Sequence, residues 1–271
     1  MIVFPQIDPV LVEIGPLAIR WYGMMYTLSF LIGWPLLKRR AAKVMPDLSV
    51  DHLGDIMVYT LLGLVLGGRV GYVLFYNFDY FLSHPTAIFH IWEGGMSFHG
   101  GLIGGVVACL LYARKSQIPC LMLADLVFPI VPLGLFFGRI GNFINGELWG
   151  RTTDLPWGMV FPGAGELPRH PSQLYEAMLE GVILFIVLNG LARRSRTSGF
   201  LLGSFMVGYG VSRFLVEFVR QPDAHLGLLT LGLSMGQWLT LPLFLLGGWL
   251  MFRPGAGPGL PGQGKGCERS L

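Results

Sequence analysis

The chain has 271 residues, 53% of them hydrophobic and only 13% Asp, Glu, Lys or Arg, with a mean hydropathy of +0.59. A soluble domain carries roughly 25% charged residues, so the composition is that of an integral membrane protein. A formal net charge of +3 excludes the basic surface that nucleic-acid binding needs, and three cysteines without CxxC spacing (Cys109, Cys120, Cys267) suggest neither a disulfide framework nor a zinc site.

The first basic residue is Arg20, so no signal peptide is expected at the N-terminus. A membrane-crossing helix needs about 20 mostly apolar residues. Seven stretches qualify: 17–37, 53–74, 97–113, 121–140, 173–191, 199–219 and 235–252, the third and fourth being short and glycine-rich. Continuous rather than alternating apolar runs predict helices and argue against strands. Lys38, Arg39, Arg40 and Lys43 follow the first stretch, Arg114 and Lys115 the third, Arg193, Arg194 and Arg196 the fifth, and Arg253, Lys265 and Arg269 the seventh. If the stretches alternate, these all fall on one side, against the isolated Arg20, Arg151, Arg169 and Arg220 on the other. Basic loops stay cytoplasmic. The expected fold is therefore all-α, with seven transmembrane helices, the N-terminus outside and the C-terminus cytoplasmic. Residues 1–252 form the transmembrane domain, with an outer loop at about 141–172 rich in turn formers. A Gly/Pro-rich tail over 253–271 is expected to be disordered.

Apart from Arg20 at the start of the first stretch, three arginines fall inside the stretches: Arg69, Arg139 and Arg213. On the predicted topology each lies roughly 20–27 Å from the inner boundary of a ~30 Å core, so the three guanidiniums are expected near the outer interface. Ionisable groups at such depth point to function, the bland alternative being snorkelling to headgroups. Arg139 is set in GRIGNFINGE (138–147), where glycines permit close approach and Asn142, Asn145 and Glu147 are too polar for a lipid-facing helix end. Arg213, Glu217 and Arg220 share one helical face, either as a salt-bridge ladder or as part of a site. Glu176 and Glu180, two like charges four apart, require a cationic partner or a polar cavity. His99, in SFHGGLIGG (97–105), is either a structural cap or a ligand or acid–base group; His170 reads as loop architecture, with Ser172 capping the next helix. Tyr22 and Tyr209 fit an aromatic belt, although Tyr209 is one turn from Arg213. Arginine matches phosphate bidentately and keeps its charge on burial, so the cluster suggests a phospholipid headgroup as ligand.

The motifs WYGMMY (21–26), LGGRVGYVLFYN (66–77), GGMSFHGGLIG (94–104), GRIGNFINGELWG (138–150), LPRHPSQLYE (167–176) and VEFVRQPD (216–223) together resemble the bacterial phosphatidylglycerol–prolipoprotein diacylglyceryl transferase family. The resemblance runs from about residue 5 to 252, and the 138–150 block is its most specific part. It implies a seven-helix enzyme of the inner (plasma) membrane, active near the outer leaflet on the periplasmic side. The implied reaction moves the sn-1,2-diacylglyceryl group of phosphatidylglycerol to the lipobox cysteine thiol of a prolipoprotein. It forms a thioether and releases glycerol 1-phosphate, the first step of lipoprotein maturation. The implied partners are phosphatidylglycerol, prolipoprotein signal peptides with a lipobox cysteine, and membrane lipids, with no nucleic acid, cofactor or metal. The positions that match are Tyr22, His99, Arg139, Asn142, Glu147, Gly150, Tyr209, Arg213, Glu217 and Arg220.

Under that reading Arg139 and Arg213 bind the leaving phosphate and stabilise its developing charge. His99 accepts the thiol proton, or else binds the headgroup while a carboxylate acts as base. Glu147 and Glu217 orient arginines. Residues expected to carry the reaction are His99, Arg139, Arg213, Tyr22 and Glu147; those expected to bind phosphatidylglycerol are Arg139, Asn142, Tyr209, Arg213, Gly150, Arg220 and Glu217. Two other classes compete. A transporter would hold its charges at the midplane between related halves, and none are evident. A metal-dependent phosphatidyl-transferring enzyme would need clustered aspartates, and these are scattered from Asp8 to Asp223.

Overall fold

The protein is described from a computed structural model over residues 2–15, 17–91, 94–193, 197–221 and 229–253. The expectations for Arg194, Arg196, Lys265, Arg269, Cys267 and the tail beyond Arg253 lie outside these residues. Helix predominates: α1 (Trp21–Val44), α2 (Val50–Phe75), α3 (Phe78–Ser83), α4 (Phe98–Ser116), α5 (Cys120–Val127), α6 (Val131–Ile144), α7 (Ser172–Glu176), α8 (Leu184–Leu191), α9 (Phe200–Val216) and α10 (Met235–Phe252). A π-helical stretch, Ala177–Ile183, joins α7 to α8. Among the described residues three helices are long and apolar enough to cross a membrane: Val50–Phe75, Ser172–Leu191 and Met235–Phe252. The pair Cys120–Val127 and Val131–Ile144 makes a fourth if read as one crossing.

Three local differences from the apolar pattern have physical causes. Strands were not expected, yet β2 (Val10–Ile14) and β3 (Leu17–Arg20) form an antiparallel hairpin, and β1 (Ile2–Val3) pairs in parallel with β4 (Met159–Val160). The first helix therefore starts at Trp21 rather than residue 17, because 17–20 is taken by the hairpin. The stretch 121–140 is two helices rather than one. Pro129 and Pro132 lack the N–H that would continue the ladder, and at the break Asn189 of α8 donates to Pro129 O at 2.9 Å. Ser172 is the first residue of α7 instead of its cap, and its hydroxyl donates to Leu148 O at 2.9 Å.

The chain forms two compact units, Leu37–Leu126 and the remainder (Met1–Leu36 with Val127–Leu271). In the first, α2 and α4 meet through glycine faces. A Cβ on Gly67 would lie 2.4 Å from Gly100 O, and one on Gly63 would lie 2.5 Å from Gly104 O. Only the missing side chains let the two backbones touch there. In the second unit, Phe4, Phe143 and Phe161 pack edge-on or tilted with ring centroids 5.1–6.2 Å apart, and Trp149 stacks on Phe161. The stretch from 141 to 172 thus carries its own apolar core. Gly150 closes it: its N–H donates to His170 O at 2.9 Å, it pairs with Arg220, and an added Cβ would sit 2.5 Å from Val219 O.

Candidate active site

The second unit contains an ion-pair cluster of three arginines and three carboxylates. Arg139 lies on α6, Glu176 at the end of α7, Glu180 in the π-helical stretch, and Arg213, Glu217 and Arg220 on α9 and the turn after it. Gly181 makes the arrangement possible, since an added Cβ would lie 2.6 Å from Phe136 Cβ of α6. The wide π turn keeps Glu176 and Glu180 on the same side, facing α6 and α9.

Glu176 is the hub. Its Oε2 lies 2.6 Å from Arg139 Nε and 3.5 Å from Arg213 Nη1, and its Oε1 lies 3.5 Å from Arg220 Nη1. Glu180 Oε2 is 3.4 Å from Arg139 Nη2. Glu217 Oε1 is 2.6 Å from Arg213 Nη2 and 3.9 Å from Arg220 Nε. The carboxylates are buried to 4% exposure or less, while the three arginine side chains keep 15–16%. The acids thus form the buried floor of the cluster and the guanidiniums its less buried layer. Nη1 of Arg139 has no hydrogen-bond or ion-pair partner among the described residues.

Glu217 is fixed from the far side by α10. Ser234, which caps that helix in a box with Gln237, donates its hydroxyl to Glu217 Oε2 at 2.9 Å, and Gly236 leaves room for the carboxylate. Glu147 differs from its expected role. It accepts from the amides of Asn142 (2.9 Å) and Asn145 (3.1 Å) rather than from an arginine, and its carbonyl accepts from Gln173. Tyr22 and Tyr26 of α1 pack on the glycines flanking Arg139: Tyr26 against Gly138 and Tyr22 against Gly141, with 3.3 Å between the hydroxyls. The glycines of the 138–142 segment admit these rings. Tyr209 stacks on Phe205 at 5.9 Å, within electrostatic reach of Arg139, Arg213, Glu176 and Glu180. Burial pushes the His170 imidazole below its ordinary value; its Nδ1 is 3.4 Å from the Tyr175 hydroxyl, and its backbone pairs with Gly150 and Arg151.

Two residues singled out by sequence belong to the other unit. His99 is exposed in the first turn of α4, edge-on to Phe98. Arg69 neither snorkels nor presents a free guanidinium: it is 6% exposed, and its N–H groups all bond backbone carbonyls. The residues missing from the sequence-based site are Glu176 and Glu180 as the floor and Ser234 as the support of Glu217. Two like charges in an apolar run, and the SxxQ capping spacing, were their signals.

Apolar helices around a buried arginine–carboxylate cluster define a helical membrane protein with a polar site suited to an oxyanion. The family model for prolipoprotein diacylglyceryl transferase matches residues 9–253. The phosphatidylglycerol–prolipoprotein diacylglyceryl transferase of Idiomarina loihiensis is 57% identical over 253 residues, covering 92% of this chain and 94% of that protein. The enzyme of the same name from Nitratidesulfovibrio vulgaris is 56% identical over 260 residues (96% and 98%), and that of Bordetella parapertussis 54% over 252 (92% and 96%). The chain belongs to the prolipoprotein diacylglyceryl transferase family.

Proposed function

We propose that the protein transfers the sn-1,2-diacylglyceryl group of phosphatidylglycerol to the lipobox cysteine thiol of a prolipoprotein; the names of its relatives give diacylglyceryl transfer between phosphatidylglycerol and prolipoprotein for them. The observation that carries this reading is the three-arginine layer on a floor of buried carboxylates. Sulfur attacks the lipid's glycerol C3, the C–O bond to phosphate breaks, and glycerol 1-phosphate leaves as the thioether forms. The phosphate gains charge as it departs. Guanidiniums already oriented by Glu176, Glu180 and Glu217 stabilise that charge without reorganising, which is where preorganised donors contribute most. Asn142, Tyr209, Gly150 and Tyr22 complete the headgroup site in this reading, with Glu147 holding Asn142. His99 takes the thiol proton. The seven apolar stretches cross the inner membrane with the N-terminus outside, and the chemistry lies near the outer leaflet. The basic loops support that orientation, and the matched span supports one domain over 1–252.

The test is turnover by purified protein with phosphatidylglycerol, a lipobox peptide and EDTA. Thioether product and glycerol phosphate in the presence of EDTA are expected; dependence on a divalent metal would sink the reading in favour of a metal-dependent transferase. His99→Gln should slow turnover while leaving lipid binding intact, and higher pH should recover part of the rate by ionising the thiol. Lost lipid binding with no gain at high pH would make His99 a headgroup ligand instead.

A further inference from the structure

Arg69 of α2 donates all five of its N–H groups to backbone carbonyls of one segment. Nε bonds Ile88 O at 2.8 Å, Nη2 bonds Ala87 O at 2.6 Å and His90 O at 3.2 Å, and Nη1 bonds Gly94 O at 2.6 Å and Gly95 O at 3.0 Å. The first three carbonyls end the 3-10 turn Pro85–Phe89 or follow it, and Ala87 O also accepts from His90 N–H at 3.1 Å. The last two face the same nitrogen because Gly94 and Gly95 both have positive φ, +91° and +74°, a conformation open to glycine. The ring of Phe81 lies against the guanidinium, 5.1 Å away. This is a match of five donors to five backbone acceptors, buried, with no carboxylate partner among the described residues.

The pinned segment runs directly into α4. Two residues after Gly95, Ser97 donates its N–H to Gly68 O of α2 at 2.9 Å and caps α4 through Gly100 N at 3.2 Å. Gly100 then lies against Gly67 and Gly71. His99 is therefore held between two attachments to the same helix: Arg69 and Gly68 before it, the glycine contact after it. We infer that Arg69 is a positioning residue that sets the imidazole of His99 by fixing the 87–95 backbone to α2; this rests on reading His99 as the proton acceptor. Lysine offers three donors on one nitrogen and cannot meet five carbonyls spread over nine residues.

The experiment is a double-mutant cycle on the full-length protein, measuring kcat and the KM for phosphatidylglycerol in wild type, Arg69→Lys, His99→Gln and the double variant, with membrane abundance checked. Misplacing a catalytic group by about 1 Å costs on the order of 100-fold. Arg69→Lys should lower kcat by that order and leave KM within about twofold. The double variant should be no slower than His99→Gln, because a misplaced group that is already absent costs nothing more. Losses that multiply, a raised KM, or wild-type kcat in Arg69→Lys overturns the inference while leaving the role of His99 standing. Wild-type turnover in His99→Gln overturns the proton-acceptor reading and this inference together. Gly95→Ala gives a second perturbation if Arg69→Lys does not accumulate, since its Cβ would lie 2.6 Å from Tyr72 and 2.9 Å from Arg69 Nη1. It must show the same fall in kcat and the same cancellation, or the inference fails.

Discussion

Replacing Arg139 separates the two jobs the structure assigns to it. Among the described residues it is the only cation within 4 Å of Glu180, whose side chain has no exposure, and it makes the 2.6 Å pair with Glu176. Arg139→Ala strands a buried carboxylate, a change that costs about 3–5 kcal/mol of stability. Arg139→Lys restores a positive charge near the two acids and should recover much of that loss. It cannot recover the geometry. The guanidinium reaches Glu176 and Glu180 with two nitrogens and keeps Nη1 for a third partner, whereas an ammonium has one nitrogen for all three. If Nη1 meets the departing phosphate, the lysine variant loses a preorganised donor, about 3–4 kcal/mol, or on the order of 100- to 1,000-fold in turnover. Thermal unfolding and transfer to a lipobox peptide, measured on the same preparations, read the two effects apart. Arg139→Lys within about tenfold of wild type, a difference of 1.4 kcal/mol, would refute the phosphate role. Turnover that simply tracks the folded fraction in both variants would reduce Arg139 to a structural ion pair.

Gly150→Ala should destabilise the 141–172 region by about 1–3 kcal/mol and lower turnover, because the new methyl meets backbone at 2.5 Å and His170 Cβ at 2.7 Å, and neither can yield. Thermal unfolding checks this; an unchanged melting temperature would show that the three strands of chain can separate. His170 is depressed by burial, so the unfolded chain binds its proton more readily and acid favours unfolding. Stability should fall as pH drops through the ordinary histidine value near 6.5 and stop falling once the lower folded value is passed, and His170→Gln should flatten that part of the melting curve against pH. Replacing Cys109, Cys120 and Cys267 together should leave transfer largely intact, since the nucleophile belongs to the substrate and Cys109, on α4, lies 3.5 Å from the Thr60 hydroxyl of α2, outside the arginine cluster. Abolished turnover in a folded triple variant would point to a covalent enzyme intermediate.

Composition alone made this a membrane protein, because charge deficit and long apolar runs are properties of the chain that no folding can alter. The helices followed from the same runs, and the need of Glu176 and Glu180 for a cation followed from like charges placed four apart in an apolar setting. Pairing was beyond reach. Arg69, Arg139 and Arg213 all fall toward the C-terminal end of similar apolar stretches, so the chain offers no local reason to treat them differently. Tertiary structure separates them: Arg69 meets carbonyls delivered by a turn some twenty residues away, while Arg139 and Arg213 meet carboxylates on a third segment. The strands were missed for a related reason. Residues 17–20 are apolar enough to extend α1, and only the partner strand at 10–14, by satisfying their backbone hydrogen bonds, decides the matter. The break in 121–140 was written in Pro129 and Pro132, but that the carbonyl of Pro129 at the break is met by Asn189, sixty residues on, depends on how α8 packs. What a chain shows in one dimension is which groups cannot be left alone; which partner relieves each of them is settled by glycine-to-backbone contacts, such as Gly181 on Phe136, that set how closely the helices approach.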